Sequence, residues 1–140
     1  MKPLVLDASL ALGWLFERAD SREADVALRT LDVLPDTPTF VPALWHSEIG
    51  NALLVAERRR VITEAQSLDF LNRLDALPLQ TDPTAPGERR DQRMALAREH
   101  GLTLYDATYL ELALRLGAVL ATFDRALASA MQRAGGTVLA

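Results

Sequence analysis

Leu4-Val5-Leu6-Asp7-Ala8-Ser9 decides how the rest of the chain is read. Three consecutive aliphatic residues without polar alternation read as a buried strand. The Asp that ends them, followed by small residues, turns the chain directly into a helix over residues 8–16. Working outward, short apolar runs keep alternating with longer helical patterns. Residues 20–34 form an amphipathic helix with Ala24, Ala27, Leu28 and Leu31 on one face, and Pro35 and Pro38 bracket a turn. A strand over 39–41 leads to Pro42 at the first position of a helix that runs to Arg58-Arg59-Arg60. Thr63 and Gln66 have capping-box spacing ahead of Leu68, Leu71 and Leu74. A weaker strand spans 77–81 and a Pro-containing loop 82–87. Helices over 88–100 and 106–116 are each closed by a glycine, Gly101 and Gly117, and strands over 118–122 and 137–139 finish the chain. This alternation predicts an α/β domain.

The chain has 140 residues, of which 49% are hydrophobic, enough for one core and too few for two, so residues 1–140 are expected to form a single domain. There is no Cys and only two His, His46 and His100, which excludes disulfides and thiolate zinc sites and leaves oxygen as the metal-binding atom. The opening aliphatic run is too short and too charged for a signal peptide or membrane span, so a cytoplasmic protein with no membrane association is expected. A net charge of -4 argues against coating nucleic acid by bulk electrostatics.

In an open parallel sheet the functional crevice lies outside the carboxyl ends of the strands. Asp7 and Asp124 each fall just after a predicted strand, at that edge. Glu48 shares a helix stripe with Leu44, Asn51 and Val55, and Asp106 heads one containing Leu110, Ala113 and Leu114, so both carboxylates are expected to face inward. Four anions gathered without a basic partner repel unless cations sit between them. Oxygen ligands favour Mg²⁺ or Mn²⁺, and a metal held this way polarises a phosphate and ionises a water. The pattern points to a metal-dependent phosphodiesterase. Each acid also has an ordinary explanation: Asp is a favoured N-cap, Asp7, Asp106 and Asp124 all stand at predicted helix starts, and Glu48 alone reads as a rim carboxylate. Those explanations leave open why all four fall at one edge. Ser9 and Thr122 are candidates to hold the carboxylates through their hydroxyls, and Asn51 to hold Glu48.

Taken together, Val5-Leu6-Asp7-Ala8-Ser9, Pro42-Ala43-Leu44 through Glu48-Ile49 to Asn51 and Leu53, Tyr105-Asp106-Ala107 with Tyr109, and Thr122, Asp124 and Leu127 resemble, in order and approximate spacing, the motifs of the PIN-domain family. The likeness is to the VapC-like toxins of bacterial toxin-antitoxin modules in particular. It spans nearly the whole chain and implies a three-layer α/β/α fold with a central parallel sheet. It also implies Mg²⁺ or Mn²⁺ at Asp7, Glu48, Asp106 and Asp124 as the metal-binding and catalytic group, hydrolysis of RNA, a homodimer, and inhibition by a cognate antitoxin. A groove by the early helices, lined by Leu12, Trp14 and Leu15, is where that antitoxin would bind.

All but one of the basic residues are arginine, with groups at Arg58–Arg60 and at Arg89, Arg90 and Arg93. Arginine's fork suits phosphates, but interleaved acids make a solvated helix face the expected role for most of them. Trp14, Phe16 and Trp45 are expected in the core. An aspartyl-nucleophile phosphatase is disfavoured because Ser9 stands where a second acid is needed, and a dinucleotide-binding protein because the first turn lacks glycines. A non-catalytic PIN-fold binding or regulatory module is the competing reading, and it leaves the inward-facing acids without a stabilising role.

Overall fold

The computed structural model describes residues 2–139. Its strands, β1 (Leu4–Leu6), β2 (Thr39–Val41), β3 (Leu79–Thr81), β4 (Val119–Ala121) and β5 (Thr137–Val138), form one sheet in the order β3-β2-β1-β4-β5, with every pairing parallel. The helices are α1 (Ala8–Leu12), α2 (Ser21–Val33), α3 (Ala43–Arg58), α4 (Glu64–Asp75), α5 (Arg90–His100), α6 (Leu104–Leu116) and α7 (Arg125–Arg133). The chain steps from β1 to one edge through β2 and β3, then crosses back to β4 and β5. Right-handed crossovers in the two directions place their helices on opposite faces, which gives three layers. Accordingly α1 packs on α3, while α5, α6 and α7 pack in series.

β1 is the centre of this arrangement, and Val5 and Leu6 have no exposed surface. Leu10, Ile49, Leu53, Leu110, Leu112, Leu120 and Leu127 close around it from both layers. Each such burial is worth about 1.5–3 kcal/mol. The strand order reverses between β1 and β4, where Leu6 pairs with Ala121 and the Asp7 N–H donates to the Ala121 carbonyl at 2.9 Å. Asp7 and Thr122 therefore emerge side by side at the switch point, where open α/β sheets place their crevice.

Several expected boundaries move, each for a local reason. The first helix was expected over 8–16 but ends at Leu12. A Cβ on Gly13 would lie 2.9 Å from the Leu10 carbonyl and 3.0 Å from the Phe123 ring, so the backbone passes too close to Phe123 for a side chain. Trp14, Leu15 and Phe16 follow in turns rather than on the helix. Pro42 is the N-cap of α3 rather than its first residue. Helix α6 begins at Leu104 because Thr103 caps it, accepting from the Asp106 N–H at 3.1 Å. The Thr63–Gln66 capping box forms with both of its bonds, and Gly101 and Gly117 close α5 and α6 at φ 65° and 61°. No described helix is long and apolar enough to cross a membrane.

Candidate functional site

Asp7 occupies the N-cap position of α1, yet its side chain makes no capping bond there. Its Oδ2 instead accepts two short hydrogen bonds, from Ser9 Oγ and Thr122 Oγ1, each 2.6 Å long. These hydroxyls are themselves tied down. The Phe123 N–H donates to Ser9 Oγ at 3.0 Å and the Asp124 N–H to Thr122 Oγ1 at 2.9 Å, while the two oxygens lie 3.3 Å apart. The loop after β4 is thus stitched to the start of α1 through one carboxylate oxygen. Ser9 and Thr122, expected to hold the carboxylates through their hydroxyls, both donate to Asp7.

Asp124 does cap its helix, accepting from the Leu127 N–H through Oδ1 at 2.9 Å, as the ordinary reading of this residue expects. Asp106 caps nothing: it lies in the first turn of α6, half-buried, beneath the Thr103 cap. Glu48, in the second turn of α3, is held across the site by the Tyr109 hydroxyl, which donates to Oε1 at 2.5 Å. Tyr109 is the residue that sequence reasoning missed. It lies three positions after Asp106 and has no exposed surface; the motif around Asp106 included it, but nothing in the sequence assigned its hydroxyl to Glu48. Asn51, the expected support for Glu48, is exposed and makes no hydrogen bond to it among the described residues.

Electrostatics show that the acids share a field. Burial pushes the Asp7 carboxyl up; the Ser9 and Thr122 hydroxyls oppose the rise and Asp124 adds to it. Burial also raises Glu48, with Tyr109 opposing and the negative charges of Asp7 and Asp106 reinforcing. Asp106 is pushed up to about 6 by burial and by Asp124 and Asp7. Burial, with Asp7 and Glu48 nearby, lifts the Tyr109 phenol far above its ordinary range, so it remains a donor at any working pH. None of the described ion pairs involves these four acids.

The set is all-oxygen and anionic and has no ion-paired counter-charge among the described residues, which fits a hard divalent cation. Its spacing is wider than a finished chelate: among the described residues, no three acid or histidine side chains already converge to ion-binding distance. Holding one ion would require these carboxylates to draw closer together.

A second buried acidic group lies further along α6. Glu111, 3% exposed, accepts from Arg89 at 3.0 Å, Arg93 at 3.2 Å and Arg115 at 2.7 Å. Asp82, at the end of β3, accepts from Arg115 at 2.9 Å and from the Thr84 hydroxyl at 3.0 Å. Burial alone would raise Asp82, but Arg115 and Thr84 outweigh it and hold the carboxyl below its ordinary value. Arg89 and Arg93, expected on a solvated helix face, instead lock α5 onto α6.

The PIN domain family model matches residues 4–131. Ribonuclease VapC3 of Pyrobaculum aerophilum is 33% identical over 132 residues, spanning 89% of this chain and 92% of the relative. Ribonuclease VapC1 of Mycobacterium tuberculosis is 33% identical over 130 residues, spanning 93% and 92%. Among solved structures, PAE2754 of Pyrobaculum aerophilum superposes with a TM-score of 0.69 at 25% identity, covering 99% of this chain and 84% of that one. FitAcB of Neisseria gonorrhoeae shares the fold, with a TM-score of 0.65 at 15% identity over 98% and 96% of the two chains.

Proposed function

The chain belongs to the PIN-domain family, and on that premise we propose that it is a Mg²⁺- or Mn²⁺-dependent endoribonuclease, the toxin of a toxin-antitoxin pair acting in the cytoplasm. The observation that carries the reading is Asp7: a carboxylate 5% exposed, fixed by two hydroxyls, electrostatically coupled to Asp124, Glu48 and Asp106 and with no cation paired to it among the described residues. A buried anion in such company needs a positive partner, and a divalent ion serves all four at once.

Asp7, Glu48, Asp106 and Asp124 would hold the ion or ions. A bound divalent cation supplies polarisation of the scissile phosphate and a water acidic enough to attack it at neutral pH. The protein's own contribution is placement. Ser9 and Thr122 fix Asp7 on the β1 side, Tyr109 fixes Glu48 on the α3 side, and Asp124 is oriented by its own helix cap. One end of the cluster is anchored where β1 and β4 end and the other on α3 and α6, so binding energy is not spent on ordering loops.

The reading includes a homodimer and a cognate antitoxin. A groove of about 190 Å³ lies between the turn after α1, α2 and α4, lined by Trp14, Leu15, Leu31, Phe70 and Leu74. Trp14 is oriented there by donating its indole N–H to the Ala27 carbonyl at 2.8 Å. This groove suits an apolar antitoxin helix. Leu12, expected beside Trp14 and Leu15, does not line it.

The test is purified protein, stripped of any antitoxin, incubated with total RNA with and without Mg²⁺ or Mn²⁺, with cleavage ends mapped. Discrete internal ends that require the ion support the reading. Intact RNA under every divalent ion would leave a non-catalytic PIN-fold module.

A further inference from the structure

The first turns of α2 and α7 flank a cleft that the acidic cluster and the apolar groove leave unused. It measures about 330 Å³, near the lower end of small-ligand pockets, roughly 300–1,000 Å³. Thr122 and Asp124 line it and belong to the acidic site, so the two are continuous. Val26, Phe123, Ala128 and Leu139 supply its apolar surface. Arg22 and Arg125 complete it, both exposed, and neither guanidinium has an ion pair among the described residues. The acid beside them, Glu23, is neutralised by Arg18, whose guanidinium also lies 4.7 Å from the centre of the Phe123 ring. The cleft is therefore anionic where it meets the cluster and cationic at Arg22 and Arg125.

Elsewhere the arginines nearest buried acids are already engaged: Arg89, Arg93 and Arg115 with Asp82 and Glu111. The Arg58–Arg60 group begins ten residues beyond Glu48 on α3, about 15 Å further along the helix. A polyanion brought to four carboxylates on a chain of net charge -4 needs local compensation, and Arg22 and Arg125 stand beside the reaction site to give it.

We infer that this cleft is a substrate subsite for the single-stranded RNA nucleotide adjoining the scissile phosphate, its base against Phe123 and Ala128 and its other phosphate between Arg22 and Arg125. The inference rests on the ribonuclease reading and adds to it the subsite and the side from which the substrate enters. A flat base gains contact on an apolar and aromatic surface without sequence selection, and the arginine forks match phosphate oxygens.

The test uses a fluorescein-labelled single-stranded oligoribonucleotide of about ten nucleotides. Binding is read by anisotropy in the Asp7→Asn protein, and cleavage kinetics in the otherwise wild-type protein. Arg22→Ala with Arg125→Ala weakens binding about 10-fold at roughly 0.1 M salt and reduces the slope of log affinity against log salt by about 0.7, as one lost single-strand phosphate contact requires. The same pair raises KM and leaves kcat within about 2-fold. Ala128→Trp, which fills the apolar surface without changing charge, weakens binding and leaves the salt slope as it was. Arg58→Ala with Arg59→Ala serves as the distant control and changes neither quantity.

Unchanged binding in the Arg22/Arg125 pair, equal losses in the Arg58/Arg59 pair, or no binding by the starting protein would each overturn the subsite. Cleavage of total RNA judges the ribonuclease reading separately: a protein that cuts RNA but ignores the cleft variants keeps the nuclease and loses the subsite. One that binds through the cleft and cuts nothing does the reverse.

Discussion

Asp7 and Glu111 are both carboxylates almost wholly withdrawn from water, and their surroundings are opposite. Glu111 receives three arginines and, with Asp82, forms a five-residue ionic cluster joining α5, α6 and the end of β3. Asp7 receives two neutral hydroxyls and faces other acids. In the first cluster the charges are compensated within the chain, and Asp82 is held in its ionised form. In the second they are not, and Asp7, Glu48 and Asp106 are all raised. Burial of acid therefore carries no functional meaning by itself. What distinguishes a structural anion from one awaiting a ligand is whether the fold supplies its counter-charge.

The sharpest way to break that contrast is to unpair the compensated side. Glu111→Ala leaves Arg89 without its partner and Arg93 and Arg115 with Asp82 alone, and removing one member of a buried pair costs about 3–5 kcal/mol. Urea denaturation should show a loss of this order, with cleavage by the surviving folded fraction unchanged. A variant as stable as wild type would mean that the arginines relax into solvent and that the cluster contributes little.

On the uncompensated side the same kind of change should spare the fold and remove the activity. Asp7→Asn keeps the size of the side chain and deletes one anionic ligand, and cleavage of RNA in Mn²⁺ should fall at least about 100-fold, or about 2.7 kcal/mol. Circular dichroism should be unaltered. Undiminished cleavage would remove Asp7 from the catalytic group.

Tyr109→Phe sharpens the comparison, because it deletes only the hydroxyl that orients Glu48. The expected loss is about 10-fold in kcat with weaker Mn²⁺ binding by calorimetry and little change in KM for RNA. Equal loss of stability and activity, with Mn²⁺ affinity intact, would make Tyr109 a core residue and no more.

The smallest effect concerns pH in metal-free buffer. Asp106, raised to about 6, binds its proton more tightly in the folded state than unfolded. Its stabilising contribution is complete below about pH 4 and is lost as pH rises through about 6. Asp82, held below its ordinary value, acts in the opposite sense: its contribution is present above about pH 4 and lost only in stronger acid. Between about pH 7.5 and 5 wild type should therefore gain stability. Asp106→Asn should be more stable than wild type at the upper end, gain less on acidification, and respond less to added Mn²⁺. Parallel pH profiles for the two proteins would show that Asp106 stands outside the shared field.

Much of this was legible in the chain because it depends on local pattern. Leu4–Leu6 announced a buried strand, Thr63 with Gln66 a helix start, and Gly101 and Gly117 two helix ends, since each feature is a property of a few adjacent residues. The four acids were legible for a related reason: in a parallel α/β sheet, strand ends and the helix starts that follow them lie on one side by construction. Gly13 was harder, because its reason is the ring of Phe123, 110 positions away in sequence.

The sequence by itself therefore determined the α/β class, the order of elements and the edge at which Asp7, Glu48, Asp106 and Asp124 gather, all of which follow from periodicity and from the direction of the chain. Only the tertiary structure decided which side chains serve these acids and which acids serve the arginines. It set Tyr109 rather than Asn51 on Glu48, put both hydroxyls on one oxygen of Asp7, and committed Arg89 and Arg93 to Glu111 while leaving Arg22 and Arg125 beside the cleft. Hydrogen bonds and ion pairs form over about 3 Å between groups brought together by the packing of separate elements, and no local pattern encodes that meeting.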